Sequence, residues 1–348
     1  MAAALLLPLS AFQAHAQSEI PGLTVAKDYC VRVFAKGISG KVTAPDSIAV
    51  TRDRVYIGYG DGNDPTGKDG KSNQIVEYNK WGQQLFVYTV RGHNDGLKVD
   101  PYTGKIWAMQ NEDANPNLVI IDPATREQTL YTFASPPPHG GGYDDIVFLH
   151  GKVYFSASNP ANNPNDKPAI VEGKIVGNTI EVSPLLEGDA KAKDVVTGAT
   201  ITLNLQDPDS MTVDTLHDIV LDSQADSELI LVRKAGTDDQ SALRILLNSL
   251  LGTPQIDDTL FTPAEDGFIL VSDTPANTVY AIRRTQFAPG IAYSAGVATP
   301  EGSSATIGFV ARLDLQSGEL TPIVSGLNSP HGLAFVADND KDHGDEDR

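Results

Sequence analysis

The chain has 348 residues, one cysteine and a formal net charge of −19. A lone cysteine excludes a disulfide within the chain, so stability rests on the core and, at most, on a bound metal. So acidic a surface repels nucleic acid and anionic lipid and attracts cations. No basic patch with interleaved aromatics argues for a nucleic-acid partner.

In chain order, residues 1–9 form an apolar run rich in Ala and Leu, followed by Ala14-His15-Ala16. The run is too short to span a bilayer, and the small-x-small end before Gln17 is what a signal peptidase cuts. Residues 1–17 are therefore expected to be a signal peptide, although no Lys or Arg precedes the run. The mature protein is then secreted, periplasmic or extracellular, without a membrane span. Residues 337–348 carry six acidic and two basic side chains and read as a disordered, solvated tail.

Between them, residues 18–336 read as one domain with almost no helical period. Short β-rich runs recur, broken by Gly, Pro, Asn and Asp. The stretch 29–34 is apolar and is expected to bury Cys30. The loop 61–69 is rich in oxygen donors but lacks the glutamate that an EF-hand requires at its twelfth position. The clearest repeat runs Asp95-Gly-Leu-Lys-Val-Asp, Lys105-Ile-Trp-Ala-Met, Asn117-Leu-Val-Ile-Ile-Asp and Gln128-Thr-Leu-Tyr-Thr-Phe. These are four short strands separated by turns.

The opening of that unit recurs as Pro45-Asp46-Ser47-Ile48, Asn94-Asp95-Gly96-Leu97, Tyr143-Asp144-Asp145-Ile146, Pro208-Asp209-Ser210-Met211, Ile256-Asp257-Asp258-Thr259 and Pro330-His331-Gly332-Leu333. Anchored on their second residues, the copies stand 49, 49, 65, 48 and 74 residues apart. A period of 40 to 50 residues with four strands each is the signature of a β-propeller blade. The fold class predicted is therefore all-β, a propeller of six blades built from four-stranded antiparallel sheets. The polar stretch 188–200 accounts for the spacing of 65, and a loop at 299–306 for that of 74. The strand at 31–34 is expected to close the last blade from the other end of the chain. Runs near 290–295 and 308–313 are expected to fill its middle.

If each anchor opens an innermost strand, its second residue faces the mouth of the central channel. That places Asp46, Asp95, Asp144, Asp209, Asp257 and His331 around one axis. Carboxylates so crowded raise one another's pKa or recruit a cation. The segment Arg91-Gly-His-Asn-Asp-Gly adds a cation, an imidazole and an amide, so Arg91, His93 and Asn94 are candidate substrate-binding residues. His139, in Pro136-Pro-Pro-His-Gly-Gly-Gly, is a further one. No serine-hydrolase elbow, Walker loop, dinucleotide fingerprint or zinc-helix motif is present.

Arg91 to Asp100 with Pro101, Gly104 and Trp107, together with Pro208-Asp-Ser-Met-Thr-Val-Asp214, resembles two segments of the senescence-marker/gluconolactonase (regucalcin-like) family. That resemblance implies a six-bladed propeller and a divalent-metal lactonase. It implies that Asp209 is a metal ligand, that Asn94 contacts substrate, and that Asp144 stands at a ligand position. Arg91 lies one residue further from the asparagine than in the family. The family's ligand glutamate has no match, and its place in ring order falls at His331-Gly332. An imidazole there shifts the preferred cofactor from calcium toward zinc or manganese.

The expectation is an enzyme with Asp144 and Asp209 catalytic and a metal drawn from Asp46, Asp144, Asp209, Asp257 and His331. It would hydrolyse lactones or related esters. One alternative is a non-catalytic binding or scaffold propeller that takes a small-molecule ligand or a protein partner. Another is a lyase on a cyclic ester, as in streptogramin-lyase-like propellers.

Overall fold

The computed structural model describes residues 20–338, so the expected signal peptide and the tail beyond Asp338 lie outside the described residues. Among the described residues all named elements are strands, and no helix is long and apolar enough to cross a membrane.

The strands pair into six four-stranded antiparallel units, numbered here as blades from the innermost strand outward. Blade 1 is Pro45–Val50, Arg54–Tyr59, Ser72–Asn79 and Gln84–Arg91. Blade 2 is Asn94–Val99, Ile106–Gln110, Asn117–Ile121 and Gln128–Phe133. Blade 3 is Ile146–Leu149, Lys152–Ser156, Pro168–Val176 and Thr179–Glu187. Blade 4 is Pro208–Val213, Ile219–Ser223, Glu228–Arg233 and Ser241–Leu246. The hairpin Lys191–Asp194 and Thr200–Thr202 adds to its outer edge, so the expected insertion is present and folded as strands.

The innermost strands touch in a closed cycle, blade 1 to 2 to 3 to 4 to 5 to 6 and back to 1. Middle strands such as Ile106–Gln110 and Gly267–Asp273 are buried at every position, whereas the outer strand Gln128–Phe133 is mostly exposed. A strand covered on both faces must be apolar on both. The cores accordingly lie between neighbouring blades. Ile75 and Tyr88 of blade 1 pack with Leu97 and Ile106 of blade 2, and Phe268 and Leu270 pack with Ile57 and Tyr59.

Closure departs from simple counting. Blade 6 consists of Pro330–Ala337, Gly267–Asp273, Thr278–Arg284 and Tyr29–Lys36. The N-terminal strand does close the last blade, as the sequence suggested. Its middle strands are 267–284, not the runs near 290–295 and 308–313. Those runs, as Ala292–Thr299 and Ile307–Leu313, belong to blade 5 with Thr253–Phe261 and Glu319–Leu327. The chain thus lays the inner strand of blade 5, builds the middle of blade 6, returns to finish blade 5, and ends as the inner strand of blade 6. The spacing of 74 arises from this crossover hairpin rather than from the loop 299–306.

Two smaller expectations also change. Cys30 is exposed, because it lies on the outer edge strand of blade 6, where Tyr29, Phe34 and Ala35 supply the buried contacts. The last strand runs through Ala337, and Asp338 pairs with Arg283 at 3.1 Å, so the ordered chain extends into the segment read as tail.

Candidate active site at the channel mouth

The anchor motif is a β-bulge. In blade 1, Pro45 faces Tyr59 and Ile48 faces Ile57, so the inner strand carries one residue more than its partner. The same extra residue occurs between Asn94 and Leu97, Pro208 and Met211, Ile256 and Asp258, and Pro330 and Leu333. In blade 3 regular pairing starts only at Ile146, after Asp144. A bulge twists the strand and re-aims the side chains it carries. The two central anchor residues therefore take different duties.

The second of the pair reaches a neighbouring blade. The Ser47 hydroxyl donates to the Asp95 carbonyl. Asp145 accepts from the Met211 amide at 2.9 Å and from Lys98 at 2.8 Å, and Asp258 accepts from the Leu333 amide at 2.7 Å. At Gly96 and Gly332 an added Cβ would come within 2.2 Å of the Asp144 carbonyl oxygen and 2.6 Å of the Asp46 carbonyl oxygen. Only glycine admits that approach.

The first of the pair faces the axis. Asp95 of blade 2 feels the charge of Asp257 of blade 5, directly across the ring, as well as Asp144 and Asp46. Burial, reinforced by neighbouring carboxylates, pushes Asp95, Asp144 and Asp209 well above the usual carboxylate range. Asp46 is raised to about 6 by burial and Asp257, with His331 opposing. Burial alone would lower the His331 imidazole, but Asp257 and Asp46 outweigh it and hold the group up at about 10.

Three of these side chains converge. His331 Nδ1 lies 2.9 Å from Asp257 Oδ2 and 3.6 Å from Asp46 Oδ1. Donor atoms of Asp46, Asp257 and His331 all fall within 4.8 Å of one another, the one such trio among the described residues. Gln224 Nε2 donates to Asp257 Oδ2 at 2.9 Å, and Ser329 Oγ lies 3.3 Å from His331 Nε2. The trio comes from blades 5, 6 and 1, consecutive around the ring. Asp144 and Asp209, from blades 3 and 4, occupy the opposite side and are not part of it. Two carboxylates with one imidazole form a donor set that a divalent cation fits, and a cation would offset the carboxylate excess at the axis.

Other expected site residues are placed elsewhere. Asn94 is fully buried, donating to the Met109 carbonyl at 2.8 Å, and an added Cβ on Gly58 would strike its Oδ1. It braces blade 1 against blade 2 and does not reach the channel. Arg91 ends the outer strand of blade 1 and lines a separate cleft. His139 is buried with Nε2 against the Gly142 carbonyl, and burial lowers its pKa. His93 has Nε2 3.7 Å from Glu112 Oε1, and burial lowers its pKa as well.

Glu112 was not anticipated. It lies in the loop after Ile106–Gln110, and burial raises its carboxyl to about 8. It adds charge to Asp95 and Asp144. The available signal was antiparallel pairing. Asn94 faces Gln110, so residues just after the second strand must land beside the start of the inner one.

No family model and no curated protein matches the sequence. Solved structures do match. A protein of unknown function from Bacteroides caccae aligns with a TM-score of 0.50 at 8% identity, covering 84% of this chain and 87% of its own. The virginiamycin B lyase of Staphylococcus aureus aligns at 0.45 and 11%, over 88% of this chain and 99% of the lyase. A protein provisionally assigned as a gluconolactonase aligns at 0.43 and 10%, over 90% and 94%. At 8% identity, the likeness to the Bacteroides caccae protein is one of fold alone.

Proposed function

We propose that this protein is an exported, divalent-metal-dependent hydrolase of lactones or related esters, working at the acidic mouth of its channel. The observation that carries this reading is the convergence of Asp46, Asp257 and His331 opposite Asp144 and Asp209, whose carboxyls burial and neighbouring carboxylates raise well above the usual range. Asp46, Asp257 and His331 would hold the ion. A bound divalent ion supplies polarisation of an ester carbonyl and acidity to a coordinated water. Asp144 and Asp209 handle protons on the other side of the axis. An ionised carboxylate there takes a proton from the attacking water, and a protonated one gives its proton to the departing alkoxide. Glu112, whose charge acts on Asp144, is a third group able to hold a proton near neutral pH.

The test begins with metal. Protein equilibrated with zinc, manganese or calcium and then gel-filtered should retain about one ion per chain, consistent with a single donor trio. Asp257→Ala and His331→Ala should lose it. Asp209→Asn should keep the ion and lose turnover of a lactone panel. Wild-type protein that retains no ion and turns over no lactone refutes the proposal. A product lacking the added water would point instead to a lyase. The burial of Asn94 and the outward position of Arg91 favour a second reading, a propeller that binds a ligand without transforming it. Ion retention with ligand binding and no turnover is its signature.

A further inference from the structure

Between blades 1 and 2, away from the axis, lies a cleft of about 370 Å³. That volume is in the range of small-molecule sites. One wall is the loop carrying Gly67, Gly70 and Lys71, together with Arg91 at the end of the outer strand of blade 1. The other is the blade 2 strand that carries Leu130 and Phe133. In a chain with 45 acidic residues, no Asp or Glu lines this space. Lys71 has Asp69 at 3.3 Å, but Arg91 makes no ion pair among the described residues.

The floor is built rather than loose. The Asn115 amide donates to the Thr66 carbonyl at 3.0 Å, the Gly92 amide to the Lys71 carbonyl at 2.9 Å, and the Asp113 amide to the Pro65 carbonyl at 3.2 Å. These bonds tie the two loops together before any ligand arrives. Asn117, also on the lining, has a buried Oδ1 without a hydrogen-bond partner. A buried acceptor left unpaired costs free energy, and a ligand hydroxyl reaching it recovers that cost. The guanidinium presents a planar fork matched to a carboxylate. Leu130, half exposed on this wall, gives an apolar contact suited to the C–H face of a compact polyol.

We infer that this cleft is a second ligand site, specific for a small hydroxylated carboxylate such as a sugar acid. Arg91 and Lys71 receive the carboxylate, and Asn117 accepts from a hydroxyl. The site shares no residue with the axial trio, so it stands whether or not the protein is a hydrolase.

Calorimetric titration with D-glycerate, D-gluconate and D-galacturonate tests it, with D-galactose as a neutral counterpart and propionate as a carboxylate without hydroxyls. At least one sugar acid should bind, at least tenfold more tightly than either comparator. Arg91→Met should weaken it at least tenfold, the loss expected for one charge-assisted pair, with Arg91→Lys in between. Asn117→Asp should weaken it by charge repulsion at nearly constant shape. Asp209→Asn should leave it unchanged. Because Arg91 is exposed, its variants should keep the wild-type melting temperature. No binding by any of the three acids, binding indifferent to Arg91→Met, or binding lost in Asp209→Asn overturns the inference.

Discussion

Phe34→Ala tests whether the N-terminal strand holds the ring shut. Phe34 lies on the outer strand of blade 6 and is buried against Tyr78 of blade 1 and Phe268 of blade 6, with ring centroids 5.9 and 6.3 Å away. It therefore secures the closing strand to its own blade and to the next. Removing a buried phenyl ring costs about 3–5 kcal/mol, from lost transfer energy and the cavity left behind. Unfolding entropy near the midpoint is about 2.1 cal/mol/K per residue, or roughly 0.7 kcal/mol/K for a domain of about 320 residues. A loss of about 4 kcal/mol then lowers Tm by about 6 °C. Val33→Ala, one position away on a side chain that is 42% exposed, should cost less than about 0.5 kcal/mol. Scanning calorimetry on both variants reads the difference, and hydrogen exchange should show faster opening of 278–284 in Phe34→Ala. Equal effects from the two substitutions would show that the strand is not seated on blade 1 in solution, and the closure described above would fail.

Other outcomes follow from the site and its bracing. Burial raises Asp46 to about 6 and Asp258 to about 7, so the folded state holds protons that the unfolded chain has released near pH 4. Their contribution is present at low pH and is lost as pH rises through those values. His331, raised to about 10, contributes with the same sign, fully below pH 6.5 and lost toward 10. Tm in chelator should therefore fall from pH 5 to pH 8, and Asp258→Asn should flatten that slope; a Tm that rises over this range contradicts the assignment. Asp258→Ala leaves the Leu333 amide without its acceptor and should cost about 1–3 kcal/mol in denaturant melts, whereas Asp258→Asn keeps an acceptor oxygen and costs less. Cys30 should react with a thiol reagent in the native protein, without denaturant, and a reaction seen only after unfolding would place that strand edge under cover.

Much of this architecture can be read from local chemistry. β-rich runs parted by turn residues mark strands wherever they lie, and the repeated anchor reveals both the period and the inner edge of each blade. A backbone bulge needs small or turn-forming residues at fixed positions, so Asp46-Ser47, Asp95-Gly96, Asp209-Ser210 and His331-Gly332 show through the sequence. An unpaired strand at 31–34 likewise needs a sheet edge, and the incomplete last blade offers one.

Local chemistry along the chain is therefore enough to set the repeat, the six anchors and the residues able to face the axis. Which strands pair and which side chains meet depends on how the blades pack. The runs 267–273 and 292–299 carry the same β-pattern, and only packing against blade 1 or blade 4 sorts them between the last two blades. Ring order brought Asp257, His331 and Asp46 together from three adjacent blades and set Asp144 and Asp209 across from them. It also buried Asn94 beneath blade 1 and carried Glu112 in from a loop. A sequence pattern reports the conformation of a segment, whereas the distance between two side chains far apart in the chain exists only once the ring has closed.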